Sequence, residues 1–202
     1  MSAIANTITK RIRAKQRGWV FTPKDFLDVG TRATVDQTLS RLAKKGVIRR
    51  LDRGVYDFPN QHSSLGMLSP NADDLAQAIS AQTGDKVFPS GAAAANFLGL
   101  STQVPARPAY LTNGPSRTKT IAGRTIILKH ARVPIMDRIS SKANFTLQAL
   151  SYLGKNNIDA YTIAQCAKRL DDQDLKGLNN SLSQVPGWMA DVIHKIQQVR
   201  HG

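Results

Sequence analysis

Glutamate is absent from this 202-residue sequence, so all 14 of its acidic residues are aspartates. That removes the glutamate pairs on which much general acid–base catalysis rests and leaves aspartate as the available carboxylate. Cysteine is nearly absent too. Cys166 stands alone, which excludes an internal disulfide and a cysteine-rich zinc module. No apolar run approaches the ~18–20 residues that cross a bilayer as a helix, so no membrane partner is expected. Met1 to Thr7 has neither the basic nor the apolar segment of a secretory signal, and a cytoplasmic location is expected. His62, His130, His194 and His201 are scattered without zinc-ligand spacing; no metal, cofactor or catalytic residue is expected.

What the sequence has in excess is positive charge. Lys and Arg number 28, giving a net +14 and an isoelectric point near 10.3. A composition of 41% hydrophobic and 21% charged residues is that of a globular chain, long enough for one domain or two small ones. So basic a balance points towards a polyanionic partner. The charge is also concentrated. Between Met1 and Phe58 thirteen basic residues face five aspartates, a net +8. A second basic stretch, from Arg107 to Lys142, holds Arg117, Lys119, Arg124, Lys129, Arg132 and Arg138 against Asp137 alone.

In the first of these regions Ile4, Ile8 and Ile12 recur at helical spacing, and Gly18 is expected to stop that helix. Trp19-Val20-Phe21 reads as extended. Thr22 can cap, Pro23 suits a first helical position and Asp25 a first turn, so a short helix through Phe26 and Leu27 is expected to end near Gly30. Thr31 then caps a helix running to Gly46. At ~100° per residue Val35, Leu39 and Leu42 share one side of it, and Gln37, Ser40, Arg41 and Lys44 the other. Arg32 and Thr34 fall in its exposed first turn. Val47 to Leu51 reads as a strand, Asp52-Arg53-Gly54 as a tight turn and Val55 to Phe58 as the return strand.

Helix, helix, helix and basic hairpin is the order of a winged helix-turn-helix. An α-helix fits the major groove, where Arg donates two hydrogen bonds to guanine and Gln pairs with adenine. Arg49, Arg50 and Arg53 on the hairpin are suited to flanking phosphates. The same unit can also serve dimerisation or protein docking, with its cations merely solvated.

Beyond it, residues 61–70 read as a polar connector, and Asn71 caps a helix through Ile79. Ser90 caps an alanine-rich helix from Gly91 to Leu98, whose small residues suit close packing against a neighbour. Ala109 to Thr112 is a strand, and Lys119–Ile121 with Thr125–His130 forms a hairpin about Ala122-Gly123-Arg124. Arg117, Lys119, Arg124 and Lys129 would make that sheet positive, for nucleic acid, an acidic protein or solvent. From Phe145 onward the periodicity is helical. Asp171, Asp172 and Asp174 open a helix there and read as caps rather than metal ligands, and Cys166 reads as a small buried hydrophobe. The expected fold class is α+β: a winged helix-turn-helix over 1–60, then a mixed α/β domain over 61–202, with the basic hairpin region at 107–132 and helices over 143–200.

The run Val47 to Pro59 resembles the winged-helix end of AbiEi-type proteins, the antitoxins of type IV toxin–antitoxin systems. Phe88 to Leu100 and Ala109 to Gly114 are similar to a bacterial family of unknown function related to that group. The resemblance, over about Gly18 to His130, implies a bacterial cytoplasmic repressor that binds inverted repeats in double-stranded DNA at its own operon. It also implies a cognate partner, a nucleotidyltransferase-like toxin. DNA contact then falls to Arg32, Thr34, Gln37, Arg41 and Lys44 on the recognition helix, with Arg49, Arg50 and Arg53 on the wing. Two alternatives stand beside this one. The first is a nucleic-acid-processing enzyme, a metal-dependent nuclease with Asp137 or Asp171 at its centre. The second is an interaction module that neutralises a toxin without binding DNA.

Overall fold

The Ile4-Ile8-Ile12 ladder forms α1 (Ala3–Ala14), which buries Ile8 and Ile12. The structure is a computed structural model and describes residues 3–102 and 108–201; Arg107 and the side chain of His201 lie outside the described residues. Gly18 does not end α1. The helix closes at Ala14, and Gln16 is the residue that turns left-handed, at φ 66°. Gly18 serves the turn beyond, donating its N–H to the Phe58 carbonyl at 2.7 Å.

β1 (Val20–Phe21) leads into the short helix expected from Thr22, Pro23 and Asp25; it is a 3-10 helix over Pro23–Phe26 and ends there rather than near Gly30. The Asp25 carboxylate accepts from the Thr22 N–H at 2.7 Å and from its hydroxyl at 3.0 Å, closing the turn after four residues. α2 (Arg32–Lys44) follows, then β2 (Arg49–Asp52) and β3 (Val55–Asp57). The three strands form an antiparallel sheet in the order β1–β3–β2. Phe21 and Arg50 both face Tyr56, and a bulge separates that pair from Asp52 opposite Val55. Ile8, Ile12, Phe21, Phe26, Val35, Leu39 and Ile48 are almost wholly buried together, each contributing about 1.5–3 kcal/mol of transfer free energy.

Residues 61–70 are not merely a connector. They hold a small antiparallel hairpin, β4 (Gln61–His62) with β5 (Gly66–Met67), before α3 (Ala72–Thr83). Asn71 caps α3 by accepting the Asp73 N–H at 3.1 Å.

The chain divides into two compact units: Met1–Asp85 with Thr118–Ile127, and Lys86–Arg117 with Leu128–Gly202. A boundary at residue 60 therefore falls inside the first unit, which also holds α3. The second unit contains β6 (Val87–Pro89), α4 (Gly91–Phe97) and β7 (Ala109–Thr112). From it runs the hairpin of β8 (Arg117–Ile121) and β9 (Arg124–His130), whose tip counts with the first unit. The strand order is β6–β7–β9–β8. Ala122 and Gly123, at φ 50° and 77°, make the tight turn at that tip.

Four helices complete the second unit: α5 (Ser141–Leu153), α6 (Ala160–Arg169), α7 (Asp172–Asn180) and α8 (Gly187–His201). Small residues let α4 lie close on α5. A Cβ on Gly91 would stand 2.6 Å from Tyr152 Cβ and 2.9 Å from the Gln148 carbonyl oxygen. Asp171 caps α7, accepting the Asp174 N–H at 2.9 Å while Asp174 accepts the Asp171 N–H at 3.0 Å. Cys166 is buried among Leu147, Leu150, Leu170 and Ile193, and burial pushes its thiol pKa up to about 12. The fold is mixed α+β with a helical C-terminal region.

Candidate nucleic-acid interface

α2 divides sharply by burial. Val35, Leu39 and Leu42 are packed away, whereas Gln37, Ser40, Arg41 and Lys44 are exposed. Gln37, Arg41 and Lys44 stand four and three residues apart, so they form one strip along the open side. The first turn is less available. Arg32 is exposed, yet its Nε donates to Asp36 at 2.9 Å. Thr34 is half-buried; its N–H donates to the Thr31 hydroxyl oxygen at 3.4 Å, and the two hydroxyls share a bond of 2.9 Å.

The hairpin beside α2 separates neighbouring arginines by the alternation of β2. Arg49 donates to both carboxylate oxygens of Asp57, at 3.1 and 2.6 Å, and to the Leu68 carbonyl at 3.0 Å. Asp57 is 2% exposed, so Arg49 clamps β2 to β3 from a half-buried position. Arg50 is exposed, with its Nε 3.4 Å from the Asp52 carbonyl oxygen. Arg53 is exposed at the turn, and its carbonyl accepts from the Gln82 side chain at 2.5 Å, which ties the turn to α3.

The β8–β9 tip belongs to the same unit. Lys119 Nζ lies 2.5 Å from Asp52. That hydrogen bond, with help from the Arg53 N–H, holds the Asp52 carboxyl below the usual aspartate range against a desolvation penalty. Lys24, Arg32, Arg50, Arg53 and Lys119 line a cleft of about 610 Å³, with Asp36 and Asp52 as its carboxylates. The surface is therefore cationic in the first unit, and part of its charge is already paired.

The four cations expected to share one sheet surface all stand on the paired strands β8 and β9. Lys119 and Arg124 count with the first unit, Arg117 and Lys129 with the second. Lys119 and Arg117 are half-buried, Arg124 and Lys129 exposed. Asp137 pairs with Lys86, and Asp171 is the α7 cap with Lys142 nearby at 3.6 Å. Among the described residues no three His, Cys or Asp side chains come together as a metal site. Among them, too, no helix is long and apolar enough to cross a membrane.

Sequence reasoning missed Asp57, Gln82 and Lys119 as the groups that hold the hairpin. For Asp57 a signal existed: a turn at Arg53-Gly54 sets Arg49 opposite Asp57, an opposite-charge cross-strand pair. For Gln82 and Lys119 none did, because their contacts join segments far apart in the chain. No curated protein matches this sequence. A family model described as a family of unknown function, DUF6088, matches residues 7–178, and the chain belongs to that family.

Proposed function

We propose that the first unit is a winged helix-turn-helix that binds double-stranded DNA. On this proposal the chain is a sequence-specific transcriptional repressor in the bacterial cytoplasm, acting on an operator with inverted repeats. The observation that carries it is the exposed strip of Gln37, Arg41 and Lys44 on α2, backed by a buried face of Val35, Leu39, Leu42 and Thr38, with Arg50 and Arg53 exposed on the neighbouring hairpin. The element order and the β1–β3–β2 sheet support the same reading. Arg41 and Gln37 have the chemistry to read guanine and adenine in the major groove. Lys44, Arg50 and Arg53 would neutralise phosphates and fix the register. Arg32, Thr34 and Arg49 already hold intramolecular partners and would contact DNA only by exchanging them.

A gel-shift titration against the DNA upstream of its own reading frame, with a scrambled duplex beside it, tests this. Arg41→Ala should weaken specific binding by about 1–3 kcal/mol, and Arg53→Ala should weaken both duplexes alike. Equal and weak affinity of the parent chain for the two duplexes would overturn sequence-specific repression.

The resemblance to AbiEi-type proteins supports a further step: this repressor is an antitoxin whose partner is a nucleotidyltransferase-like toxin. Co-purification with the product of the adjacent gene, insensitive to nuclease treatment, tests that step. A nuclease has less support, since Asp137 is paired with Lys86 and Asp171 with the α7 backbone.

A further inference from the structure

The second unit has a cleft of about 420 Å³ between β7, the end of β9, the start of α4 and the last turns of α5, within the size range of small-molecule sites. Its lining is chemically one-sided. Lys129, His130 and Arg132 stand on it and no aspartate does. Lys129 and Arg132 are exposed, and neither has a carboxylate partner among the described residues. Two cations without a counter-charge favour an anionic occupant.

The rest of the lining describes the body of that occupant. Ala109 and Leu111, two residues apart on β7, are half-exposed towards solvent. Tyr152 is 51% exposed although it is a large ring, which leaves an aromatic face for stacking. Gln148 lines the same cleft while being 2% exposed. Its amide nitrogen donates to the Val133 carbonyl at 3.0 Å, so its oxygen is the acceptor that remains. That oxygen is open to a donor that enters the cleft. His130 Nδ1 lies 2.9 Å from the Gly114 carbonyl oxygen and donates to it, so Nε2 is the ring nitrogen left over.

We propose that this cleft binds a small planar anion: an aromatic ring that carries a phosphate or carboxylate and at least one N–H or O–H donor. Lys129 and Arg132 hold the charge, Tyr152 stacks on the ring and Gln148 accepts from its donor. The site is separate from the DNA-binding residues and does not depend on their assignment.

Isothermal titration of the full chain with adenosine monophosphate and with salicylate distinguishes a phosphate from a carboxylate source. Adenosine and orthophosphate supply the ring and the charge alone. One of the two aromatic anions should bind saturably, with adenosine and orthophosphate each at least tenfold weaker. Lys129→Ala with Arg132→Ala should weaken it at least tenfold, and Gln148→Leu should lower affinity for that same compound. The double variant should keep the parent melting temperature, because both side chains are exposed. Arg50→Ala with Arg53→Ala should leave the affinity unchanged, which separates this cleft from general attraction to the basic first unit. The proposal is overturned by any of three results: no saturable binding of either aromatic anion at millimolar concentration, binding that survives loss of Lys129 and Arg132, or orthophosphate binding as tightly as the ring-bearing compounds.

Discussion

Replacing Arg49 by alanine removes both hydrogen bonds to the Asp57 carboxylate, which is 2% exposed beneath it, and the donor to the Leu68 carbonyl. A buried carboxylate stripped of its partner costs about 3–5 kcal/mol, and the partly exposed guanidinium places this pair towards the lower end. In a chain of this length about 3 kcal/mol lowers the melting temperature by roughly 6–12 °C. Arg50→Ala, one residue along, removes an exposed side chain whose internal contact is a single long bond to a carbonyl, so its effect on stability should stay within about 0.5 kcal/mol. The two variants should then separate by assay. Arg49→Ala lowers the thermal midpoint and leaves DNA affinity intact below it, whereas Arg50→Ala keeps the midpoint and weakens binding to every duplex. Thermal melts beside gel shifts at a temperature where both variants are folded make the comparison. If Arg49→Ala melts like the parent and binds DNA as weakly as Arg50→Ala, the ion pair with Asp57 is not what Arg49 does.

Three other outcomes follow from the geometry. Lys119→Ala should cost no more than about 1 kcal/mol at neutral pH, because the Asp52–Lys119 pair is about one-third exposed on both sides. Asp52 has a folded pKa below its unfolded one, so the pair's contribution is present above the ordinary aspartate range and fades as pH falls through the folded value. Urea melts of parent and variant should therefore converge in acid, and a gap that persists there would contradict the pairing. Gly91→Ala should cost about 1–3 kcal/mol or more, since its Cβ meets Tyr152 Cβ at 2.6 Å and a backbone carbonyl at 2.9 Å; an unchanged denaturation midpoint would show that α4 and α5 do not approach so closely. Cys166, with its thiol pushed up to about 12 and fully buried, should react with a thiol reagent at pH 8 only when denaturant is added, and stoichiometric labelling of the native chain would place it elsewhere.

The parts of the fold that were legible in the sequence are those fixed by neighbours along the chain. Thr31, Asn71, Ser90 and Asp171 cap their helices through N–H groups two or three residues on, and local spacing reveals such bonds. The apolar face of α2 was readable for the same reason. The start of the 3-10 helix at Pro23–Phe26 was readable too, but its early end was not, because the residues that start a longer helix also suit a turn that closes on Asp25. The β4–β5 hairpin gave no pattern either: Leu65 and Met67 are 73% and 53% exposed, so no alternation of burial marked its strands. The extent of the first unit depends on α3 and the 118–127 tip, whose contacts with the hairpin through Gln82 and Lys119 span 29 and more residues.

Charge illustrates the difference between what composition measures and what a surface offers. The net +8 of the first 58 residues sets the long-range field and is unaltered when an arginine pairs with an aspartate in the same unit. Close contact with a phosphate or a base edge needs a donor that is free to turn outward. Arg11 with Asp28, Arg32 with Asp36, Arg49 with Asp57 and Lys119 with Asp52 are each held at 2.5–2.9 Å. Lys44, Arg41 and Arg53 are exposed and form no ion pair with a carboxylate among the described residues, and the exposed Arg50 meets the Asp52 carboxylate only through a coulombic attraction. A sequence thus reports how strongly a unit attracts a polyanion from a distance. Which cations touch it is decided by where the few aspartates fold, and in this chain three of those pairings sit on Arg32, Arg49 and Lys119, residues that the sequence pattern places at a partner's surface.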